Sequence, residues 1–176
     1  MVYLDQAATS FPKLDVVKQA VMDALEVAGN ANRSSNMDSS RLIFEARGNI
    51  ARFFGLSDFH RVILNGRNTE SLNTCIKGIL KEKDHVITTY AEHNSVLRPL
   101  YELEEKGVIS LTICSPYLKD IKNHIRNNTR MVIMTHSSNV TGEIFDVDLI
   151  GKYCKESDVL FMVDAAQSAG HIPVSM

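Results

Sequence analysis

The sequence has no excess of basic residues, few cysteines and no long apolar run, and each shortage removes a class of function. Nineteen Lys and Arg stand against 21 Asp and Glu, a net charge of −2. That balance lays down no electrostatic footprint for nucleic acid or an anionic membrane. The three cysteines, Cys75, Cys114 and Cys154, are odd in number and widely spaced. They argue against a disulfide framework and fit a reducing compartment. No apolar stretch approaches the roughly 20 residues that span a bilayer. The opening Met1-Val-Tyr-Leu-Asp5 lacks the basic and apolar regions of a secretory signal. The expectation is therefore a cytoplasmic protein with neither membrane nor nucleic acid as partner. There is no G-x-G-x-x-G or Walker loop, no internal repeat and no low-complexity tract, and no metal site is expected.

What is present is an ordinary globular composition: 176 residues, 44% apolar and 23% charged, enough for one substantial core. Short β-rich runs alternate with longer helical patterns, the sign of βαβ units and a mainly parallel sheet. Strands are expected at Arg61–Asn65, His85–Thr89, Val108–Ile113, Met131–Thr135 and Val159–Val163. Five apolar residues in a row in the last of these predict a strand covered on both faces. Helical stripes fall at Thr69–Lys81, around Val96–Glu104 with Gly107 as a stop, at Leu118–Ile125 and at Asp146–Glu156. The first sixty residues differ. Beyond the strand-like Val2–Leu4 they carry two helical patterns, Leu14–Ala28 and Ser39–Phe54, joined by a polar loop at Gly29–Asn36.

Four loops leave the carboxyl ends of the expected strands, where open α/β sheets gather ligands. The first, Asn65-Gly-Arg-Asn-Thr-Glu70, enters a helix, and its amides with the Thr69 hydroxyl offer an anion site, or simply a cap. The second, Tyr90-Ala-Glu-His-Asn-Ser95, presents His93, able to stack on a planar ligand or exchange protons near neutral pH. The third, His136-Ser-Ser-Asn-Val-Thr-Gly-Glu143, is rich in small polar residues. The fourth carries Asp164 and Gln167, an acid and an amide suited to a heteroaromatic ring with a nitrogen and a neighbouring oxygen. Their convergence on one sheet edge exceeds what helix capping requires.

Five segments in order resemble the fold-type I, class V pyridoxal-phosphate enzymes, and among them the cysteine desulfurase and selenocysteine lyase group. They are Tyr3–Thr9, Thr69-Glu70, Glu92-His-Asn-Ser95, Ser138–Glu143 and Val163–Gly170. The resemblance implies the three-layer large domain of that family, with a helical segment over about 1–60 and an α/β core over 61–176. It implies pyridoxal 5'-phosphate as cofactor, with Asp164 on the pyridine nitrogen and His93 stacked over the ring and serving proton transfer. Asn139 and Gln167 are then on the phenolic oxygen, with Thr69 and the Asn68 backbone on the phosphate. It further implies an amino-acid substrate, a homo-oligomer and a sulfur-acceptor protein. The activity is removal of sulfur or selenium from a cysteine-type amino acid to leave alanine. A class V aminotransferase or lyase for another amino acid is the near alternative, and a non-catalytic cofactor-binding or assembly fragment the distant one.

Two departures from the family pattern stand out. Arg33 occupies a stretch that is richer in His and Gly in the family. The Schiff-base lysine is expected after Asp164, in a Ser-Gly-His-Lys-like motif, yet the last lysine is Lys155. The expectation is thus an amino-terminal portion, without the small carboxy-terminal domain, whose exposed apolar surface favours self-association. The cysteines are expected to be buried and structural, Cys75 and Cys154 on apolar helix faces and Cys114 at a strand end.

Overall fold

The structure, a computed structural model, describes residues 2–28 and 37–174. It divides into two compact units, Met1–Leu64 with Val174–Met176, and Asn65–Pro173.

The second unit is a parallel sheet between two helical layers. Its strands are β1 (Asp84–Thr89), β2 (Ile109–Cys114), β3 (Thr129–Thr135) and β4 (Leu160–Asp164), in the order β2-β1-β3-β4. Every pairing is parallel. Period-two alternation sorts the side chains onto two faces. Val86, Met131 and Ile133 pack on one side against Leu72 and Ile76 of α3 (Asn68–Ile79) and Val96 and Leu100 of α4 (Asn94–Glu105). Ile87, Val132 and Met134 pack on the other against Ile121 of α5 (Leu118–His124) and Ile150 and Cys154 of α6 (Val147–Glu156). The chain steps from β1 outward to β2, then back past β1 to β3. The crevice at the carboxyl ends of β1 and β3 is therefore the topological switch point, where such sheets bind ligands.

Two local devices keep α3 and α4 in place. Pro99 lies inside α4 and has no N–H to give to the carbonyl of Ser95. The Asn73 side chain of α3 turns toward that carbonyl at 3.5 Å, while also donating to Thr69 O at 2.9 Å. Gly107 ends α4 at φ 69°, with its N–H on Glu104 O at 2.8 Å and the Val108 N–H on Leu103 O at 2.9 Å. This is the left-handed glycine stop that the sequence pattern places there.

Not every expected strand forms. Arg61–Asn65 is a single 3-10 turn at Phe59–Arg61 followed by irregular chain. One carbonyl in it and one just before it are taken by a side chain instead of a ladder: Arg47 donates through Nε to Val62 O at 2.7 Å and through Nη2 to His60 O at 3.1 Å. Val2–Leu4 is likewise not a strand, and Val2 and Leu4 are exposed. β4 forms where expected and is met on both faces, Met162 packing on the α3 and α4 side and Phe161 on the α5 and α6 side. Among the described residues it pairs with β3 alone, and Leu160 at its start remains 40% exposed while Asp164 at its end is buried. Phe161 lies close against α6, where a Cβ on Gly151 would come 3.2 Å from the ring.

The first unit contains α1 (Asp15–Leu25) and α2 (Asp38–Phe53). Among the described residues α1 buries none of its side chains and α2 buries only Ala51. Val16, Val17, Val21 and Met22 are all exposed.

The central and edge strands should respond differently to truncation. Ile133→Ala, at a fully buried site, is expected to cost about 2–5 kcal/mol in urea unfolding. Leu160→Ala should cost clearly less, and equal costs would contradict the edge position of β4.

Candidate functional site

Asp164 reaches the carboxyl end of β4 in register with Thr135 of β3, and it is 5% exposed. Its Oδ1 accepts from Asn68 Nδ2 at 2.9 Å and from the Ala166 N–H at 3.0 Å. Asn68 is the first residue of α3, so one hydrogen bond spans 96 positions of sequence and joins two of the expected loops. Both donors are neutral, and no basic side chain pairs with Asp164 among the described residues. Thr69 follows in the first turn of α3, whose opening amides have no intrahelical acceptor. The N-cap residue, Arg67, supplies no side-chain cap there. An acid shares that helix start, since Glu70 Oε2 accepts the Gly66 N–H at 3.2 Å.

His93 is the N-cap of α4. Its Nδ1 accepts the Ser95 N–H at 3.1 Å and lies 2.8 Å from the Ser95 hydroxyl. A ring nitrogen that accepts a backbone N–H carries no proton, so in the neutral ring Nε2 holds it. The cap bond through Nδ1 fixes the orientation of the ring and leaves Nε2 free of it. Thr69 and His93 line one cleft of about 370 Å³, together with Asn73, Ser95 and Arg98.

Gln167 is half-buried in the turn that follows Asp164, and Asn139 is exposed in the turn after β3. That turn is organised by Ser138, whose Oγ accepts the N–H groups of Val140 and Thr141, both at 3.2 Å. Arg33 and the loop around it lie outside the described residues.

Sequence reasoning assigns no role to Glu92, which the structure puts at the middle of this edge. Glu92 is 8% exposed. Its Oε1 accepts from the Thr89 hydroxyl at 2.7 Å and the Thr135 N–H at 2.8 Å. Burial pushes its carboxyl up to about 7; the two hydrogen bonds oppose the rise and the nearby Asp164 adds to it. No pattern marks an acid three residues beyond a strand as buried, so sequence offers no signal. The Asn68 side chain escapes notice for a similar reason, because the sequence pattern points only to its backbone.

The cysteines divide. Cys75 is exposed, because α3 buries only Leu72 and Ile76 and Cys75 sits off that stripe. Cys114 and Cys154 are buried, and desolvation pushes both thiols up to about 11, with Asp120 adding to the rise at Cys114. A thiol so hard to ionise is a poor nucleophile.

The class-V aminotransferase family model matches residues 2–176, and the chain belongs to that family. Within it, the chain is similar to proteins named cysteine desulfurase. It is 36% identical to cysteine desulfurase IscS of Buchnera aphidicola subsp. Schizaphis graminum, covering 99% of this chain and 46% of that protein. It is 31% identical to the IscS of Plasmodium falciparum, covering 99% and 34%. Among solved structures, the apo cysteine desulfurase of Thermococcus onnurineus NA1 superposes with a TM-score of 0.85 at 31% identity, covering 99% of this chain and 46% of that one. Cysteine desulfurase CsdA of Escherichia coli does so at 0.82 and 26%, covering 98% and 46%. The chain thus spans about half the length, or less, of the relatives named here.

Members of this family depend on pyridoxal 5'-phosphate, and the residues present fit that group. A buried carboxylate met only by neutral donors suits a protonated pyridine nitrogen. A helix start without a side-chain cap suits a phosphate.

The raised Glu92 value has a sign that stability measurements can read. A carboxyl at about 7 in the folded chain, against an ordinary value of 4.5, contributes stability that is complete below about 4.5. That stability is lost as pH rises through 7. Glu92→Gln should flatten this part of the profile, so that the wild-type minus variant difference in unfolding free energy falls by the order of 2–3 kcal/mol from pH 4.5 to above 7. A difference independent of pH would contradict the assignment.

Proposed function

We propose that this chain forms the cofactor-binding part of a pyridoxal-phosphate-dependent enzyme acting on a cysteine-type amino acid, releasing sulfur or selenium and leaving alanine. The observation that carries the reading is the hydrogen bond between Asn68 and Asp164, which ties an anion-ready helix start to a cation-ready acid. The names of the similar proteins support the substrate class.

In this reading the residues divide the work of holding the cofactor. Asp164 holds the ring nitrogen protonated, an opposite charge favouring the charged form. Thr69 and the first amides of α3, with the backbone at Asn68, hold the phosphate. His93 stacks on the ring and moves a proton at Nε2, its orientation fixed through Nδ1 by Ser95. Asn139 and Gln167 donate hydrogen bonds to the phenolic oxygen. When bound, the group supplies an electron sink beside the substrate α-carbon. The partners are the amino-acid substrate, a sulfur-acceptor protein and a second copy of the chain.

Titrating the chain with pyridoxal 5'-phosphate, followed by the cofactor's absorbance, tests the cofactor reading. Asp164→Ala is expected to weaken reversible binding by roughly tenfold or more, the value of a hydrogen bond to a charged group. Undiminished affinity in that variant would sink the assignment. The second-copy expectation is checked by sedimentation velocity: the apolar residues exposed on α1 predict concentration-dependent association, and a strict monomer contradicts it.

A further inference from the structure

Glu92 sits where one strand ends and its neighbour runs on. The β1–β3 register closes at Thr88 and Ile133, so the N–H of Thr135 has no strand acceptor on that side. The Glu92 carboxyl takes the missing place, accepting that N–H at 2.8 Å while the Thr89 hydroxyl holds the same oxygen at 2.7 Å. Its other oxygen, Oε2, is buried and has no hydrogen-bond partner among the described residues. On the opposite side of Thr135, in register, lies Asp164. Two buried acids thus flank a single residue of β3. An ion with one orphaned oxygen in the interior costs far more than its neutral acid, and a second negative charge nearby raises that cost.

We propose that Glu92 is a positioning residue of the cofactor site: it carries a proton on Oε2, leaving Asp164 as the one anion that meets the ligand, and yields that proton when a cation seats against Asp164. The inference rests on the cofactor reading and extends it to a residue that does not touch the cofactor. The burial that lifts Glu92 to about 7 agrees with it. Among the described residues, Asp164 on β4 is the charged group whose field reaches the Glu92 carboxyl; His93 follows it in its own loop, and His136 follows Thr135 in the chain. In the exchange the Glu92 O–H bond breaks, the proton passes to the buffer, and the new carboxylate charge is offset by the cation at Asp164. Environments that drive two like groups apart in this way assign their roles.

The test compares wild type with Glu92→Gln, whose amide keeps the accepting oxygen and imitates the neutral acid. Both are titrated with pyridoxal 5'-phosphate at about pH 6 and about pH 8.5. Titration of the cofactor's own groups cancels in the ratio of the two affinities. Equal Kd values are expected at the lower pH. At the higher pH wild type should bind roughly five- to tenfold tighter, the factor set by a pKa depression of up to about one unit. A ratio that does not change with pH overturns the proposal. Infrared difference spectra of wild type provide a readout that does not need the variant to fold. Adding pyridoxal 5'-phosphate at pH 7 should remove the carbonyl band of a buried protonated carboxyl, and an unchanged carboxyl region overturns the proposal. Absence of binding at every pH defeats the cofactor reading and this inference with it. Binding that is lost in Asp164→Ala but shows a flat ratio defeats the role of Glu92 alone.

Discussion

Thr135 is held from both sides at the point where the sheet stops, and the site is arranged around that grip. Toward β1 its N–H is taken by Glu92. Toward β4 it stands in register with Asp164, whose carbonyl accepts the next N–H, from His136, at 3.0 Å. Parallel pairing makes this possible, because it brings the carboxyl ends of β1, β3 and β4 to one edge. The α3 start is drawn to the same edge by Asn68 on Asp164. Remove the strand register and these residues have no common location, since their sequence separations run to 96 positions.

Environment, not residue type, separates the roles. Two acids on this edge differ in what surrounds them: Asp164 has two N–H donors on one oxygen, while Glu92 has an oxygen with none. Two histidines differ in the same manner. His85 is fully buried in β1, bracketed by the Thr129 and Thr112 hydroxyls at 2.8 and 2.9 Å. Burial lowers it to about 4, with Arg126 and His124 adding to the shift. It is a neutral strand-to-strand bridge. His93, exposed and capping a helix, keeps one nitrogen turned outward. A composition count would treat the members of each pair alike.

Much of the α/β core was legible because its signals are local. Helix α4 announced itself by apolar spacing and a glycine stop, and β1 to β4 by apolar runs between turns. The failures share one cause: burial depends on what packs alongside, which a run of residues does not specify. Val159–Val163 has the apolar run of a strand covered on both faces, and Met162 and Phe161 do pack on opposite sides, yet among the described residues β4 has a strand neighbour on one side only and Leu160 stays exposed. Arg61–Asn65 has strand-like residues, but Arg47 claims the Val62 carbonyl. Cys75 sits near the apolar stripe of α3 and still falls outside it. Asp164 was visible because it ends an apolar run. Glu92 was not, because the buried hydrogen bond that places it comes from Thr135, 43 positions away.

On the proposed reading the acid ending β4 faces a cationic ring. Nitrogen NMR of the chain bound to pyridoxal 5'-phosphate labelled with 15N in the ring tests it most directly. A protonated ring nitrogen is expected, its signal reverting toward the neutral form in Asp164→Asn. A ring nitrogen that is unprotonated in wild type, or indifferent to that substitution, would contradict it.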